Sequence, residues 1–355
     1  VAIQIRECDS SFDPQWELYV KSHPQGTVFH TLLWRDAVEA AFGHASHYLT
    51  AWEHDRLAGV FPLMRVRSRL AGTLLVSVPY GVYGGTLADN EAVSAALLQH
   101  AEQLAISLGA QWMDIRSVEP QHPSLPVVRR YVTFRKALPH DPSEVLNGLP
   151  RKARAAARQA RERFGLRAEF DDAHLHTVWS LYCQSMRRLA SPNYPLDFFE
   201  TLMARTQPGW SQQDARPGHL VQLVFRKDRP VAGLISLIFR GVLMPYFAGC
   251  DERFEKYHPN NFLYLTAMEH GSELGCREFD FGRSRVDNAG ACNFKRFQGF
   301  EPTPLHYQYY VPQGGRAPNL YPGHPRLDLA RRVWPRLPLA VTRPLGAWLA
   351  KSIPG

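Results

Sequence analysis

An internal repeat constrains this chain more than any other feature of its sequence. One stretch opens Leu49-Thr-Ala-Trp and runs to a polar turn at Asp55-Arg56; another opens Val221-Gln-Leu-Val and runs to Asp228-Arg229. Each reads as a strand, a turn, and a second strand opened by Gly59 or Gly233. Pro79-Tyr80 then precedes the small residues Gly81 to Gly85, as Pro245-Tyr246 precedes Ala248-Gly249. An amphipathic helix is expected next in each stretch, over 92–108 and 261–274, stopped by Gly109 and Gly275. Five residues past each glycine an aspartate, Asp114 or Asp280, sits in an apolar strand. Any one match is easily met by chance, but all of them in one order describe a duplication.

Helical patterns precede each unit, over 32–42 in the first and over 175–186 and 197–204 in the second. The order helix, hairpin, strand, helix, strand suits an α/β architecture of mixed sheets with helices on both faces. The expected division is a first domain over 1–137, a second over 138–312, and a basic amphipathic tail over 313–355. The linker near 137–142 is short, so the domains are expected to pack as one body around a cleft.

Composition narrows the setting. No apolar run approaches the ~20 residues of a membrane helix, and the first residues lack a charged-then-apolar leader. A cytoplasmic location is expected. Five scattered cysteines with no C-x-x-C pair argue against a disulfide framework or a zinc site. A net charge of +8 favours an anionic partner: phosphate, nucleic acid or a membrane surface.

Two motifs carry a family resemblance. Phe279-Asp-Phe-Gly-Arg-Ser-Arg285, followed by Phe294-Lys-Arg-Phe-Gln-Gly-Phe-Glu-Pro302, resembles the signature of FemAB-like proteins. Val76-Ser-Val-Pro-Tyr-Gly-Val-Tyr-Gly-Gly85 and the tail pieces Trp334-Pro-Arg-Leu-Pro-Leu339 and Pro344-Leu-Gly346 resemble the branch associated with exosortase/PEP-CTERM and exopolysaccharide loci. The resemblance implies two tandem GNAT-like domains, the acyl-CoA N-acyltransferase fold. It also implies amide formation, in which an amine attacks an activated acyl carbonyl, often an aminoacyl ester on tRNA. The implied acceptor is a cell-wall (peptidoglycan) or exopolysaccharide precursor. Typical members have a shorter loop with a Thr-Gly pair where this chain has 287–292, and an aromatic residue where it has Gln298. These departures bear on substrate identity more than on fold.

Amide formation requires a neutral amine, a stabilised oxyanion and aligned substrates. Lys295, bracketed by Phe294 and Phe297, is the leading catalytic candidate; the matching family lysine lies at the active site, and the bland alternative is an exposed strand lysine. Asp280 is the second, able to orient Lys295 or Arg283 or to accept a proton, although Asp114 in the equivalent place argues for a shared structural role. Arg283, Ser284 and Arg285, in a polar loop over 282–290, are expected to bind substrate; no G-x-S-x-G elbow makes Ser284 a nucleophile. Tyr246 is expected on a strand edge facing the cleft. Asn260 is either a substrate contact or a helix cap. Arg154 and Arg158 share a helix face with Arg151 and Arg161, beside a neighbouring face of Ala153, Ala157, Ala160 and Phe164, and form either a phosphate-docking strip or a solvated surface.

No resident cofactor or metal is expected. The acyl donor is a co-substrate, aminoacyl-tRNA or acyl-CoA. The [R/Q]-x-x-G-x-[G/A] pyrophosphate turn of acyl-CoA enzymes is not found, which favours the first. Expected partners are a phosphate-bearing donor, with tRNA as one candidate, and an envelope precursor. The tail over 326–351 mixes six basic residues with apolar ones, and is expected either to rest on the inner-membrane surface or to pack on the second domain. The leading function is thus an N-acyl or aminoacyl transferase. Alternatives are an acyl-CoA-dependent sugar acyltransferase and a non-catalytic scaffold of a polysaccharide or protein-sorting system.

Overall fold

The computed structural model describes residues 2–213, 216–315 and 328–355, with side chains of the last segment described from 331. The first unit comprises β1 (Ile3–Glu7), α1 (Asp13–Ser22), α2 (Leu32–Phe42), β2 (Leu49–Glu53), β3 (Arg56–Phe61), β4 (Leu63–Ser68), β5 (Gly72–Ser77), α3 (Glu91–Ser107), β6 (Met113–Ile115) and β7 (Val127–Ala137). The second comprises α4 (Arg151–Arg158), β8 (Leu166–Phe170), α5 (Leu175–Arg188), α6 (Leu196–Arg205), β9 (Gly218–Arg226), β10 (Arg229–Phe239), β11 (Val242–Cys250), α7 (Pro259–Glu273), β12 (Glu278–Asp280), β13 (Ser284–Arg285), α8 (Ala289–Phe297) and β14 (Pro302–Tyr310). The tail ends in α9 (Leu339–Ala350).

The strand order repeats. β2 pairs antiparallel with β3, as β9 does with β10. β5 runs parallel to β6, with Leu75 opposite Met113, and β11 runs parallel to β12, with Leu243 opposite Phe279. One residue further on, Asp114 and Asp280 occupy the same place. Both preceding helices end at a left-handed glycine, Gly109 at φ 63 and Gly275 at φ 79. The units differ in the second hairpin strand. Pro62, which has no N–H to give a ladder, divides it into β3 and β4, so that β3 joins a small sheet with β1 and β2. Its counterpart β10 is continuous over eleven residues.

Strand exchange joins the units. β7, which closes the first unit in sequence, pairs with β12 of the second, placing Arg135 opposite Asp280. β14, which closes the second, pairs with β7 and with β6 of the first, placing Tyr309 opposite Asp114. One long sheet therefore runs β8-β9-β10-β11-β12-β7-β14-β6-β5-β4. Separating the units would expose two central strand pairs, so they form one body.

Three larger apolar cores and a small one around Val66, Leu74 and Val76 flank this sheet among the described residues. One lies under α3, around Leu97, Ala101 and Met113; one under α7, around Leu263, Phe279 and Phe300. The largest draws on both units and includes Trp34 of α2, Phe198 of α6, Phe247 of β11 and Tyr307 of β14. All five cysteines are free thiols.

The tail packs on the body. Trp334, Thr342 and Ala350 are buried, and a Cβ on Gly346 would lie 2.3 Å from Asn193 Oδ1. Pro338 precedes α9 and Pro344 lies inside it. Val333, Val341, Leu345 and Trp348 stay exposed. Residues 316–327, part of the expected tail, lie outside the described residues. No described helix is long and apolar enough to cross a membrane.

Candidate active site at the junction of the two units

Asp280 is the hub of the junction. It ends β12, is fully buried, and accepts four kinds of donor: the Tyr83 hydroxyl at 2.8 Å, the Thr133 hydroxyl at 3.2 Å, Arg135 Nε at 2.9 Å and the Gly282 amide at 2.7 Å. Tyr83 comes from the loop after β5 and Thr133 and Arg135 from β7, so one carboxylate ties the first unit to the second. A buried charge is tolerable only when so paired. Burial and the neighbouring Asp280 charge hold the Tyr83 phenol well above its ordinary range, so it stays a donor. Asp114 does comparable work in its own unit, accepting from Arg116 Nε at 3.0 Å.

A cavity of about 390 Å³ opens beside this hub. The first unit supplies residues 24–28, His30, 83–87, Arg116 and Glu119; the second supplies Leu237, Arg240, Met244, Glu278 and Asp280, with Arg135 between. His30 is buried, donates Nε2–H to Gly85 O, and is driven by desolvation to about 3, so it is a neutral wall residue. Arg240 Nη1 donates to the carbonyls of His23, Pro24 and Gly26, clamping the 23–26 loop against the second unit. Glu278 and the more exposed Glu119 are cavity carboxylates with oxygen to spare, and Glu278 is the one beside the hub. It stands 3.8 Å from Arg135 Nε. Partial burial raises its pKa, Arg135 opposes that, and Asp280 adds to it. A carboxylate so poised can take a proton from an ammonium group, and Arg135 beside it can face developing negative charge.

Lys295 stands behind this site and does not line the cavity. It lies on α8, where a strand had been the bland alternative, because the Asn288 side chain caps a helix by accepting from Ala291 N at 3.2 Å. Its Nζ donates to Phe281 O at 3.0 Å and Gly282 O at 3.1 Å, and lies 5.1 Å from the centroid of Phe134. Burial pushes its pKa down to about 8, with the Asp280 and Cys292 charges pulling the other way. The ammonium thus holds the turn that carries Asp280.

The other expected site residues disperse. Tyr246 is enclosed by Phe29, Trp34 and Phe247, and its hydroxyl donates to Tyr80 O, so it fastens the two units together. Arg283 stacks over Tyr131 at 4.6 Å and donates to Tyr307 OH at 3.5 Å. Ser284 is buried in β13 against Val132, and Arg285 forks onto Asp287. Asn260 does not cap α7: the cap position belongs to His258, in a left-handed conformation, and Asn260 is the second helical residue. Arg154 donates to Asn147 O at 3.0 Å and Arg158 lies 3.9 Å from Glu162. Ala153, Ala157 and Ala160 are buried, and no α4 arginine reaches the cavity. Tyr83, Arg135, Arg240 and Glu278 went unread in the sequence. Glu278 adjoins the Phe279 motif and Tyr83 lies within the 76–85 motif, which are the only local signals for them.

Comparison with known proteins agrees with this architecture. Residues 145–296 match the acetyltransferase (GNAT) domain model. No curated protein sequence matches the chain. The crystal structure of FemX aligns at a TM-score of 0.67 with 16% identity, over 92% of this chain and 100% of that one. A tandem GNAT protein from the clavulanic acid biosynthesis pathway aligns at 0.55 with 13% identity, over 89% and 100%. The C-terminal domain of a putative lysylphosphatidylglycerol synthetase from Agrobacterium fabrum aligns at 0.51 with 11% identity, over 85% and 94%. The chain therefore has a tandem-domain GNAT fold and carries an acetyltransferase (GNAT) domain in its second half, which makes it an acyltransferase.

Proposed function

We propose that the protein is a FemAB-like N-acyl or aminoacyl transferase, forming an amide on an amino-bearing cell-envelope or exopolysaccharide precursor held in the junction cavity. The observation that carries this reading is the cavity itself, walled by both units and bearing Glu278 and Arg135 side by side. The acceptor ammonium gives a proton to Glu278. The free amine attacks the acyl carbonyl, a C–N bond forms, and the C–O or C–S bond to the donor breaks as the leaving group takes a proton. Asp280 holds Arg135 in place throughout. The donor is a co-substrate, with aminoacyl-tRNA favoured because no pyrophosphate turn of the acyl-CoA type is present in the sequence. The basic face of α4 is the proposed contact for donor phosphates. The proposed setting is the cytoplasmic side of the inner membrane, in an exosortase/PEP-CTERM-associated exopolysaccharide system, a reading supported by the 76–85 and 334–346 motifs and by the exposed apolar residues of the tail.

The test is mass spectrometry of envelope precursors and glycans from a deletion strain beside its parent. Loss of one acyl or aminoacyl substituent from an amino sugar or peptide amine is the expected result. Unchanged spectra, with unchanged acylation when the purified protein is given charged tRNA and extracted precursors, would refute the reading. The acyl-CoA alternative has the GNAT domain match in its favour; thermal stabilisation by coenzyme A and not by tRNA would select it.

A further inference from the structure

Helix α9 turns an apolar face to solvent. Its buried side carries Thr342, Gly346 and Ala350. The opposite side carries Val341, Pro344, Leu345 and Trp348, an exposed stripe at helical spacing. Val341 is 44%, Leu345 38% and Trp348 46% exposed. The one charged residue of the helix, Arg343, is engaged by α5, donating to Ser180 Oγ and lying over the Trp179 ring. A surface helix ordinarily gives water a polar face, and a contiguous exposed apolar stripe marks a contact surface.

The hairpin between β4 and β5 continues this face. Arg69 stacks over Trp348 at 4.7 Å, and Leu70 at the hairpin tip is 51% exposed. Two serines lock the hairpin to the tail: Ser68 Oγ donates to Ser352 O at 2.7 Å, and Ser352 Oγ accepts from the Arg69 amide at 3.3 Å. Segments 284 residues apart in sequence thus build one surface. Between them lies a cleft of about 550 Å³ whose wall includes Arg67, Arg69, Trp348 and Lys351 and no carboxylate. Arg67, Arg69 and Lys351 are exposed and form no ion pair among the described residues. The sequence over 329–355 contains no Asp or Glu.

We propose that the β4–β5 hairpin and the outward face of α9 form a docking surface for an anionic lipid bilayer. Leu70, Val341, Leu345 and Trp348 enter the boundary layer, and Arg67, Arg69 and Lys351 meet lipid phosphates in and around the cleft. The proposal deepens the membrane setting given above by naming the contact, and it uses none of the transfer chemistry. Two features select this occupant. Tryptophan beside aliphatic and basic side chains suits the boundary between headgroups and acyl chains. A second copy of the chain fits poorly: in a two-fold contact the patch meets itself, which sets these cations against one another with no carboxylate among the patch residues. Nucleic acid would pair with the cations but leave Leu70, Val341 and Leu345 uncovered.

The experiment is co-sedimentation of the full chain with vesicles of phosphatidylcholine alone and of phosphatidylcholine mixed equally with phosphatidylglycerol. Binding to the mixed vesicles that weakens with salt, and little binding to the neutral ones, is expected. Arg67→Gln with Lys351→Gln is expected to lower the partition coefficient ~30-fold, the usual worth of two basic residues at an anionic surface. Val341→Ser with Leu345→Ser is expected to remove the binding that persists at raised salt. Tryptophan emission should shift to the blue on the mixed vesicles, and Trp348→Phe should bind while losing that shift. All the substituted side chains are exposed, so unfolding midpoints should match that of the unaltered chain. Four results overturn the proposal: no binding to either vesicle, equal binding by the unaltered chain and both double variants, release from vesicles by inorganic phosphate at constant ionic strength, or a lipid-free dimer that Leu345→Ser dissociates. A protein that binds vesicles but transfers no acyl group refutes only the transferase reading, and one that transfers without binding vesicles refutes only this one.

Discussion

Arg135 and Asp280 face each other across the seam between the units, Nε to carboxylate oxygen at 2.9 Å, on paired strands that come from different halves of the sequence. Asp280 is sealed from solvent while Arg135 keeps part of its surface on the cavity. Stability and chemistry thus share one contact, and the two effects can be separated by choosing which partner to change.

Asp280→Ala removes the acceptor of four donors and strands the Arg135 charge. Loss of one partner of a buried pair costs on the order of 3–5 kcal/mol. A lowered unfolding midpoint in urea, with loss of cooperativity between the units, is the expected result. Arg135 is a third exposed, so Arg135→Gln should cost clearly less, and a midpoint drop as large as that of Asp280→Ala would contradict the hub assignment.

Lys295 makes a pH prediction. Its folded pKa, about 8, lies below the ordinary lysine value of 10.5. Between those values the unfolded chain holds a proton that the folded chain has lost, so stability contributed by this group rises as pH rises through that window. Below pH 8 both states are protonated and the cost of burying the ammonium is constant. The wild-type protein should therefore gain stability against urea from pH 8 to 10 relative to Lys295→Met. Parallel curves for the two proteins would mean that the ammonium is not buried in solution. Turnover by Lys295→Met should fall as well, through displacement of the 280–282 turn.

Much of the fold was legible because it rests on local pattern. The helix over 32–42 was read at its observed bounds, α3 and α7 to within a residue or two, and the terminating Gly109 and Gly275 fixed the register that sets Asp114 and Asp280 in equivalent places. The strand exchange was not legible. Nothing local in Val127–Ala137 states that it will pair with Glu278–Asp280 rather than close its own unit, since that choice is made by contacts far apart in sequence. The site divides the same way. Asp280 could be read because a carboxylate in an apolar strand needs partners. Tyr83, nearly two hundred residues away, gives no sign of being one. Lys295 was read as a residue of note, but its helix was hidden in a loop whose single cue is the capping Asn288.

The basic face of α4 offers a test that leaves the fold alone. Its buried side is the alanine row, and Arg158 is exposed, so charge reversal by Arg154→Glu with Arg158→Glu should shift stability by only ~0.5 kcal/mol per site. Arg154 gives up one bond to Asn147 O. Affinity for tRNA or another phosphate-rich donor should drop, with a shallower salt dependence of what remains. Unchanged affinity and salt slope would return α4 to a solvated surface.

Glu278 is the residue on which the proposed chemistry turns. It is partly buried at the cavity wall, its pKa is raised chiefly by desolvation, and its nearest charged neighbour is Arg135. A base must be ionised to act, so activity should fall on the acid side, with the limb displaced upward from the ordinary carboxylate range. Glu278→Gln should lower kcat by on the order of 10²–10⁴, the usual worth of a general base, and flatten that acid limb. Stability should change little, because no buried donor depends on Glu278 alone. Glu278→Asp should retain the limb with reduced kcat, since the shorter side chain keeps the charge but withdraws it from the acceptor. A Glu278→Gln protein with normal turnover and the wild-type pH profile would remove Glu278 from the mechanism and leave proton transfer to the substrates themselves.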